Sequence, residues 1–288
     1  MSEVRKLQAG DEDHVLSFLR SHVDSSMFLL SNVTAAGIGR PEVRFGGDYW
    51  AAFDGRIVGV LGHFWNANMI VQAPNAAARL ALYAEVRKAA TRPVAGLLGP
   101  DEQVIDGVRC LGLADAAFAV DHREQLFSLP AEALEIPGHD PSRVSISHWK
   151  DDDPALMQRW LGAYNVAALG ADPGPDLDKE MASAVAMAAG FERWVLRIDG
   201  RTVALAGFNA RVGDLVQVGP VWTPPEYRGR GYARLLLALI LKQAFAAGVT
   251  RSVLFTSNPA GESAYRVIGF RPSGDYRLAM LKAPVTLA

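Results

Sequence analysis

Apolar and polar residues alternate along the chain in two patterns, one with the period of a strand and one with the period of a helix. In the second half, these patterns predict one strand, two helices and a hairpin, and then strand, helix, strand, helix and strand. The predicted strands are residues 144–148, 194–198, 202–208, 215–223, 252–256 and 276–281, and the predicted helices are residues 154–169, 177–189, 233–247 and 261–267. The alternation of strands and helices indicates an α/β (α+β) fold class.

The first half has a similar predicted order. Its strands are residues 4–7, 49–53, 57–61, 69–73, 94–98 and 116–129, and its helices are residues 12–20, 25–30, 76–90 and 101–111. Between the halves, the segment from Ile136 to Pro141 is rich in proline and glycine and predicts a linker. A length of 288 residues suits two domains of about 140 residues. The predicted domains are therefore residues 1–140 and 141–288.

Residues 215–248 carry the strongest chemical signal. An apolar strand at residues 215–223 ends at two prolines, which cannot donate to a sheet, and a helix without an internal breaker follows until Gly248. Between them, residues 228–233 read Arg-Gly-Arg-Gly-Tyr-Ala and predict a tight turn. Glycines allow close approach of the backbone, and the N–H groups and dipole of a helix start favour an anion. Arg228 and Arg230 add positive charge, so the stretch predicts a phosphate site.

This turn is not a Walker loop, since no Gly-Lys-Ser/Thr follows it, and it lacks the spacing of a dinucleotide fingerprint. The pattern Arg228-x-x-Gly231-x-Ala233, between a strand and a long helix, resembles the acyl-CoA motif of the GNAT superfamily of N-acyltransferases. Downstream, Asn258, Tyr265 and Gly269-Phe270 follow a predicted strand and look like the second half of the GNAT coenzyme site. The two motifs together identify residues 141–288 as a GNAT-like catalytic domain.

The resemblance implies acetyl-CoA as co-substrate and a mixed, mostly antiparallel sheet in each GNAT-like domain. It also implies a strand pair that splays apart at the coenzyme site, with Gly219-Pro220 as a candidate bulge. The implied coenzyme-binding residues are Val221, Trp222, Thr223, Arg228, Gly229, Arg230, Gly231, Tyr232, Ala233, Asn258 and Tyr265.

Two of these residues have implied catalytic roles. The Val221 N–H is the expected donor to the thioester carbonyl, and Tyr265 is the expected general acid. Two alternatives remain open, because Asn258 also suits the cap of the next helix and Tyr265 also suits packing. Gln217 stands where many family members carry a glutamate, and its amide cannot take a proton. The base is then a water chain or another residue, or it is unnecessary because the amine arrives neutral.

The acceptor pocket of this fold is expected between the first helices and the ends of the strands. The candidate lining residues are Trp160, Tyr164, Gln217 and Trp222. The helical spacing of Trp160 and Tyr164 fits a core position equally well.

The first half resembles a degenerate copy of the same fold, so the whole chain resembles tandem-GNAT proteins. Residues 71–79, where the coenzyme turn would fall, contain no glycine and no paired arginines. A coenzyme site is therefore expected only in the second half. The alternative for the first half is an unrelated α/β cap.

Composition excludes several classes of partner. A net charge of −2 provides no basic footprint for nucleic acid. The single cysteine, Cys110, has no partner for an intrachain disulfide, and the six histidines lack ligand spacing, so no metal is expected. A polar N-terminal segment and the lack of an apolar run of ~18 residues predict a cytoplasmic protein that does not enter a membrane.

The leading functional hypothesis is an acetyl-CoA-dependent N-acetyltransferase that acts on the amine of a small molecule or an amino-acid-like acceptor. The alternatives are a non-catalytic acyl-CoA sensor and a tandem-GNAT aminoacyl transferase that uses charged tRNA. The net charge and the intact turn count against the aminoacyl transferase. The sequence leaves the acceptor, the base and the oligomeric state open.

Overall fold

The computed structural model describes residues 3–287 and divides the chain into two compact units. Unit 1 contains the described residues up to Leu126 and those from Ser273 onward, and unit 2 is Phe127–Pro272. Each unit is a mixed sheet flanked by helices, so the predicted fold class is confirmed.

Ten elements precede the segment between the two series. They are β1 (Glu3–Lys6), α1 (Glu12–Arg20), α2 (Val23–Ala36), β2 (Gly47–Asp54), β3 (Arg56–Phe64), β4 (Asn68–Gln72), α3 (Ala76–Ala89), β5 (Val94–Pro100), α4 (Asp101–Cys110) and β6 (Phe118–Pro130). The second helix is longer than the sequence predicts, because residues 31–36 continue its buried apolar face.

The second series repeats this order. It consists of β7 (Val144–His148), α5 (Pro154–Leu169), α6 (Pro175–Ala186), β8 (Arg193–Ile198), β9 (Arg201–Val212), β10 (Leu215–Trp222), α7 (Tyr232–Ala246), β11 (Arg251–Thr256), α8 (Pro259–Val267) and β12 (Arg271–Val285). The same sequence of strand and helix types occurs in both series. This repeat is what a duplicated fold would give, and the origin of the first series as a degenerate copy stays a proposal.

In unit 1 the strands follow the order β1-β2-β3-β4-β5-β12. The pairs are antiparallel except β4 with β5, which is parallel. The core contains buried apolar residues of α3 and α4 together with residues of the sheet, including Leu82, Val86, Val104 and Leu97.

In unit 2 the strand order is β6-β11-β10-β9-β8-β7. The pairs from β7 to β10 are antiparallel, and β10 with β11 is parallel. Successive residues of β9 belong to different cores, because side chains alternate across a strand. Ala204 and Ala206 pack with α7, whereas Leu205 packs with α5 and α6. Helices therefore cover both faces of this sheet.

The predicted boundary at residues 140/141 is not where the units divide. The last strand of each series runs across a unit border: β6 begins in unit 1 and ends in unit 2, and β12 begins in unit 2 and continues in unit 1. The end of β6 is a neighbour of β11, and β12 pairs with β5. The proline-rich segment at residues 136–141 marks a loop within unit 2, because proline and glycine report local chain breaks and not the pairing of distant strands.

Unit 1 contains no glycine turn where unit 2 has one. Asn75 caps α3 by accepting from the Ala78 N–H at 2.9 Å, and the Arg79 guanidinium is buried within the unit. That guanidinium contacts the carboxylates of Glu102 at 2.8 Å and Asp106 at 2.6 Å. An arginine and two acids thus lie at the start of this helix, and a coenzyme site in the second series only stays a prediction.

Candidate active site

Two parallel strands of unit 2 separate in the middle of the sheet. In the described chain, β10 and β11 pair over three residues, from Leu215 opposite Arg251 to Gln217 opposite Val253. The rest of β10, including Val221 and Trp222, has no pairing with β11. Backbone groups that point toward β11 along this part of β10 are therefore available to a ligand. The predicted splayed strand pair is present.

A bulge lies on β10 where the splay begins. Val218 pairs with Phe208 and Val221 pairs with Ala206, so Gly219-Pro220 stands opposite a single residue of β9. Gly219 has a φ of +155°, and a Cβ there would lie 2.2 Å from the Nδ2 atom of Asn209. This close approach requires glycine, and the predicted bulge is confirmed.

The chain then turns sharply into α7. Gly229 and Gly231 have φ values of +76° and +77°, which glycine adopts without strain. Gly231 is the N-cap of α7 and provides no side-chain cap, and the first turn contains no acidic residue. The first N–H groups of α7 and the positive end of its dipole are therefore left for an anion.

Arginines surround this helix start. Arg228 and Arg230 are exposed, and Arg228 Nε donates to the Thr223 carbonyl oxygen at 3.0 Å. The Arg228 guanidinium also lies 5.1 Å from the ring centre of Trp222. These contacts fix Arg228 beside the end of β10. Tyr232 and Ala233, the first residues of α7, are half-buried.

Asn258 and Tyr265 lie at the two ends of α8. The Asn258 side-chain oxygen accepts from the Ala260 N–H at 3.0 Å, so the capping role is confirmed. Its amide nitrogen is the group that remains to donate to a ligand. Tyr265 is half-buried and its ring centre lies 6.0 Å from that of Phe270, edge to face. The roles of both residues in coenzyme binding and catalysis stay predictions.

Gln217 lies on β10 directly before the splay and is 2% exposed. Its Oε1 atom is buried and has no hydrogen-bond partner in the described structure. The buried Nε1 of Trp222 and Oγ1 of Thr223 also have none. Unpartnered buried polar atoms are costly, so their gathering at the end of β10 favours contact with a bound molecule.

The aromatic residues predicted to line the acceptor pocket differ in their burial and surroundings. Trp160 is 7% exposed and packs with Leu161, Met181 and Leu205, so it belongs to the core. Tyr164, one turn later on α5, is half-buried. Trp222 packs against the same core cluster and links it to the end of β10.

Arg193 is a residue of this region that the sequence reasoning missed. It begins β8, and its Nε and Nη1 atoms are buried without a hydrogen-bond partner among the described residues. Its guanidinium carbon lies 4.9 Å from the ring centre of Trp149 and 4.7 Å from that of Phe191. Phe191 is two residues away in the chain, but Trp149 is distant in sequence, so no local pattern could have identified the packing of Arg193 between the two rings.

Two further properties concern the described residues. They include no group of three or more histidine, cysteine, aspartate or glutamate side chains placed to hold a metal ion. Their helices are all too short or too polar to cross a membrane.

Comparison with known proteins supports the assignment of unit 2. Residues 154–270 match the model of the acetyltransferase (GNAT) family. A search of curated sequences gave no significant match.

Several solved structures share the fold at low sequence identity. A Drosophila protein has a TM-score of 0.65 at 15% identity, over 98% of this chain and 99% of that chain. A GCN5-related N-acetyltransferase from Sphaerobacter thermophilus has a TM-score of 0.55 at 14% identity, over 96% and 94%. A tandem GNAT protein from the clavulanic acid biosynthesis pathway has a TM-score of 0.53 at 14% identity, over 97% and 98%.

The family match covers the splayed strands, the glycine turn and both ends of α8. The structural similarity extends over nearly the whole chain and shows the fold. Residues 154–270 of this chain therefore match the acetyltransferase (GNAT) family, and the chain shares the fold of solved GNAT structures.

Proposed function

We propose that the chain is an acetyl-CoA-dependent N-acetyltransferase, which transfers the acetyl group directly from the coenzyme A thioester to the amine of a small molecule or of an amino-acid-like acceptor. The observation that carries the proposal is the opened edge of β10, which leads within a few residues into the uncapped start of α7. A pyrophosphate suits the helix start, and an amide-containing arm suits the unpaired strand edge.

The residues of unit 2 fit this co-substrate. Gly229 and Gly231 leave room for a phosphate at the first amides of α7, and Arg228 and Arg230 supply charge there. The backbone of Val221, Trp222 and Thr223 would hold the pantetheine arm. The Asn258 side-chain oxygen already caps α8, so its amide nitrogen would donate to the pantetheine arm.

Acetyl-CoA, when bound, supplies an activated acyl group. The Val221 N–H is the proposed donor to the acyl oxygen, and such a donor lowers the barrier when charge develops on that oxygen. The Tyr265 hydroxyl is the proposed acid that gives its proton to the departing sulfur. The buried Gln217 amide cannot accept a proton, so the acceptor amine either arrives neutral or loses its proton to water.

A non-catalytic acyl-CoA sensor is the second candidate, and Gln217 is the observation that favours it. A sensor would keep the coenzyme grip and would not need a base. It predicts acetyl-CoA binding without any amine-dependent release of coenzyme A.

One experiment separates these candidates. Purified full-length protein is incubated with acetyl-CoA and a panel of amines and amino acids, and free coenzyme A thiol is measured with time. Amine-dependent release, with mass-spectrometric detection of the N-acetyl product, supports the transferase. Tight acetyl-CoA binding with no release for any amine supports the sensor. Propionyl-CoA and succinyl-CoA in the same assay test the proposed preference for acetyl.

A further inference from the structure

The Arg193 guanidinium is a half-buried cation, and no carboxylate pairs with its Nε and Nη1 atoms among the described residues. Nε and Nη1 are shielded from solvent and have no acceptor among the described residues. The rings of Trp149 and Phe191 attract its charge, yet a ring face does not replace the oxygen acceptors that guanidinium N–H groups usually have. Burial lowers the pKa of Arg193 to about 10, so the group still carries its proton at neutral pH.

Some other arginines of unit 2 are paired with acids. Three of them contact a carboxylate at hydrogen-bond distance: the pairs are Arg143–Asp199, Arg197–Asp152 and Arg211–Glu192. Burying guanidinium N–H groups without an acceptor is unfavourable, so Nε and Nη1 of Arg193 are candidates for contact with a ligand.

The strand register places Arg193 on the face of the sheet where the acceptor is expected. Arg193 and Val195 share a face because they are two residues apart on β8. Val195 pairs with Leu205, and Leu205 pairs with Trp222 at the end of β10. Paired residues share a face, so Arg193 and Trp222 lie on the face that α5 and α6 cover.

The stem of the Arg193 side chain lies against β9 at Gly207. Gly207 is its partner on β9, and a Cβ at Gly207 would lie 2.6 Å from the Arg193 Cγ atom. The next residue, Ala206, pairs with Val221. Glycine at position 207 therefore makes room for the arginine stem, two strand spacings or about 10 Å from the proposed transfer point.

We infer that Arg193 binds an anionic group of the acceptor, so that the substrate is a small amine that also carries a carboxylate. This inference rests on the proposed function and narrows its acceptor class. The planar guanidinium can pair two N–H groups with a carboxylate along the edge that Nη2 shares with Nε or with Nη1, and Trp149 and Phe191 hold its orientation. The carboxylate anchors one end of the molecule, and the amine extends toward Val221, whose backbone lies about two strand spacings, or ~10 Å, from that of Arg193.

The test compares matched acceptors. Full-length protein is assayed with acetyl-CoA and with L-amino acids, their carboxamides, and the primary amines that lack the carboxylate. The wild type should prefer the amino acid of a set by 10-fold or more in kcat/KM. Arg193→Gln should lower kcat/KM for the amino acid about 10- to 100-fold, mainly through KM, and should leave the amine and the amide nearly unchanged. Arg193→Lys, which keeps the charge without the fork, should fall between.

Arg211→Gln is the matched control, because it removes one positive charge from unit 2 at an arginine that already has a carboxylate partner. It should not change the preference. Acetyl-CoA affinity, measured by calorimetry, verifies that each variant is folded. Equal kcat/KM for amino acids and amines, or an equal loss on all acceptors in Arg193→Gln, would overturn the inference while the proposed function stands.

A binding measurement covers the case in which no amine releases coenzyme A and the proposed function fails. N-acetyl-L-amino acids and the corresponding N-acetyl amines serve as probes in ligand-detected NMR. Binding of only the carboxylate-bearing probes, lost in Arg193→Gln and kept in Arg211→Gln, supports the anion site. Absence of that selectivity in the wild type rejects it.

Discussion

Tyr265 tests the proposed chemistry at the scale of one residue. Its ring packs against Phe270, so phenylalanine at this position keeps the packing and removes only the hydroxyl. We expect Tyr265→Phe to bind acetyl-CoA as the wild type does and to turn over about 10²-fold more slowly, since a general acid contributes that much. Steady-state kinetics and calorimetry on the same preparation measure both quantities.

The alternative is that Tyr265 has only a packing role. A Tyr265 that only packs should give a variant with nearly wild-type kcat. If attack by the amine limits the rate, the loss is hidden, and an acyl donor with a poorer leaving thiol should reveal it. A wild-type rate with both donors would remove Tyr265 from the mechanism.

Asn258 has two roles that substitution can separate. Aspartate keeps an oxygen that caps α8 and lacks an amide donor, whereas alanine lacks both. We expect Asn258→Asp to keep its stability and to lose acetyl-CoA affinity, and Asn258→Ala to lose affinity and about 1 kcal/mol of stability. Thermal unfolding and calorimetry measure the two effects.

Asn75 is the matched control for this pair, because it caps α3 of unit 1 through the same kind of bond. Asn75→Ala should lower stability without changing acetyl-CoA affinity. Unchanged affinity in Asn258→Asp would show that the residue only caps the helix. Its added negative charge near the site is a further reason for weaker binding, so Asn258→Ser, a neutral cap, completes the set.

The residues that sequence could identify are those whose role depends on near neighbours in the chain. Asn258 as a cap and Gly219-Pro220 as a bulge follow from local pattern, and the structure confirms both. The role of Arg193 could not be predicted from the sequence, because its surroundings depend on residues outside its own segment. Trp149 contacts its guanidinium, and Gly207 is adjacent through strand pairing.

The turn before α7 is the element that tests the proposed coenzyme site. We expect Gly231→Asp to abolish acetyl-CoA binding, because it places a side chain and a negative charge at the helix start. The backbone there has a φ of +77°, and a Cβ would lie 2.9 Å from the Arg234 Nε atom. The dissociation constant from calorimetry should rise at least about 100-fold or exceed the measurable range.

Gly200 gives a matched control for the backbone strain. It has the same φ of +77° in the hairpin between β8 and β9, with no atom within 4 Å of a Cβ built there. Gly200→Asp should introduce similar backbone strain and should bind acetyl-CoA as the wild type does. Equal affinity in both variants would mean that the turn does not hold the coenzyme.

Element order was predictable, and element ends were less so. The periodicity located every strand and helix of the second series, including α7. The β12 strand extends over Arg271–Val285, well beyond the predicted residues 276–281. Pro272, Gly274 and Pro284 are typical strand breakers. Residues 276–280 pair with β5 between Gly274 and Pro284, and after a shift in register Val285 pairs with Val94.

At the scale of the whole molecule, we expect one acetyl-CoA per chain. Unit 1 lacks the glycine turn, and the buried Arg79 with Glu102 and Asp106 occupies the start of α3. Calorimetry should therefore give a stoichiometry of one, and Gly231→Asp should remove all binding. Two sites of similar affinity, or residual binding in that variant, would contradict a single site in the second series.

The last strand of each series, β6 or β12, crosses from one unit into the other, and we call these the exchanged strands. Because of them, we expect that residues 141–288 do not fold alone. This fragment lacks Phe127 and Leu129, which are both fully buried in the core of unit 2. It also lacks β5, the partner of β12 in unit 1. Losing two large core side chains costs about 2–5 kcal/mol each, which is comparable to the whole stability of a domain. We expect an aggregated or molten fragment that does not bind acetyl-CoA, as judged by gel filtration, near-UV circular dichroism and calorimetry.

A cut chain provides the control that separates missing residues from a broken backbone. A protease site inserted at Gly138, where a Cβ would meet no atom within 4 Å, allows cleavage after folding. Both units then keep all their residues, although each unit contains residues from both fragments. The cleaved protein should still bind acetyl-CoA and release coenzyme A with amines, whereas the fragment expressed alone should do neither. Full activity of residues 141–288 alone would show that the exchanged strands are dispensable, and loss of activity on cleavage would show that chain continuity matters beyond the strands themselves.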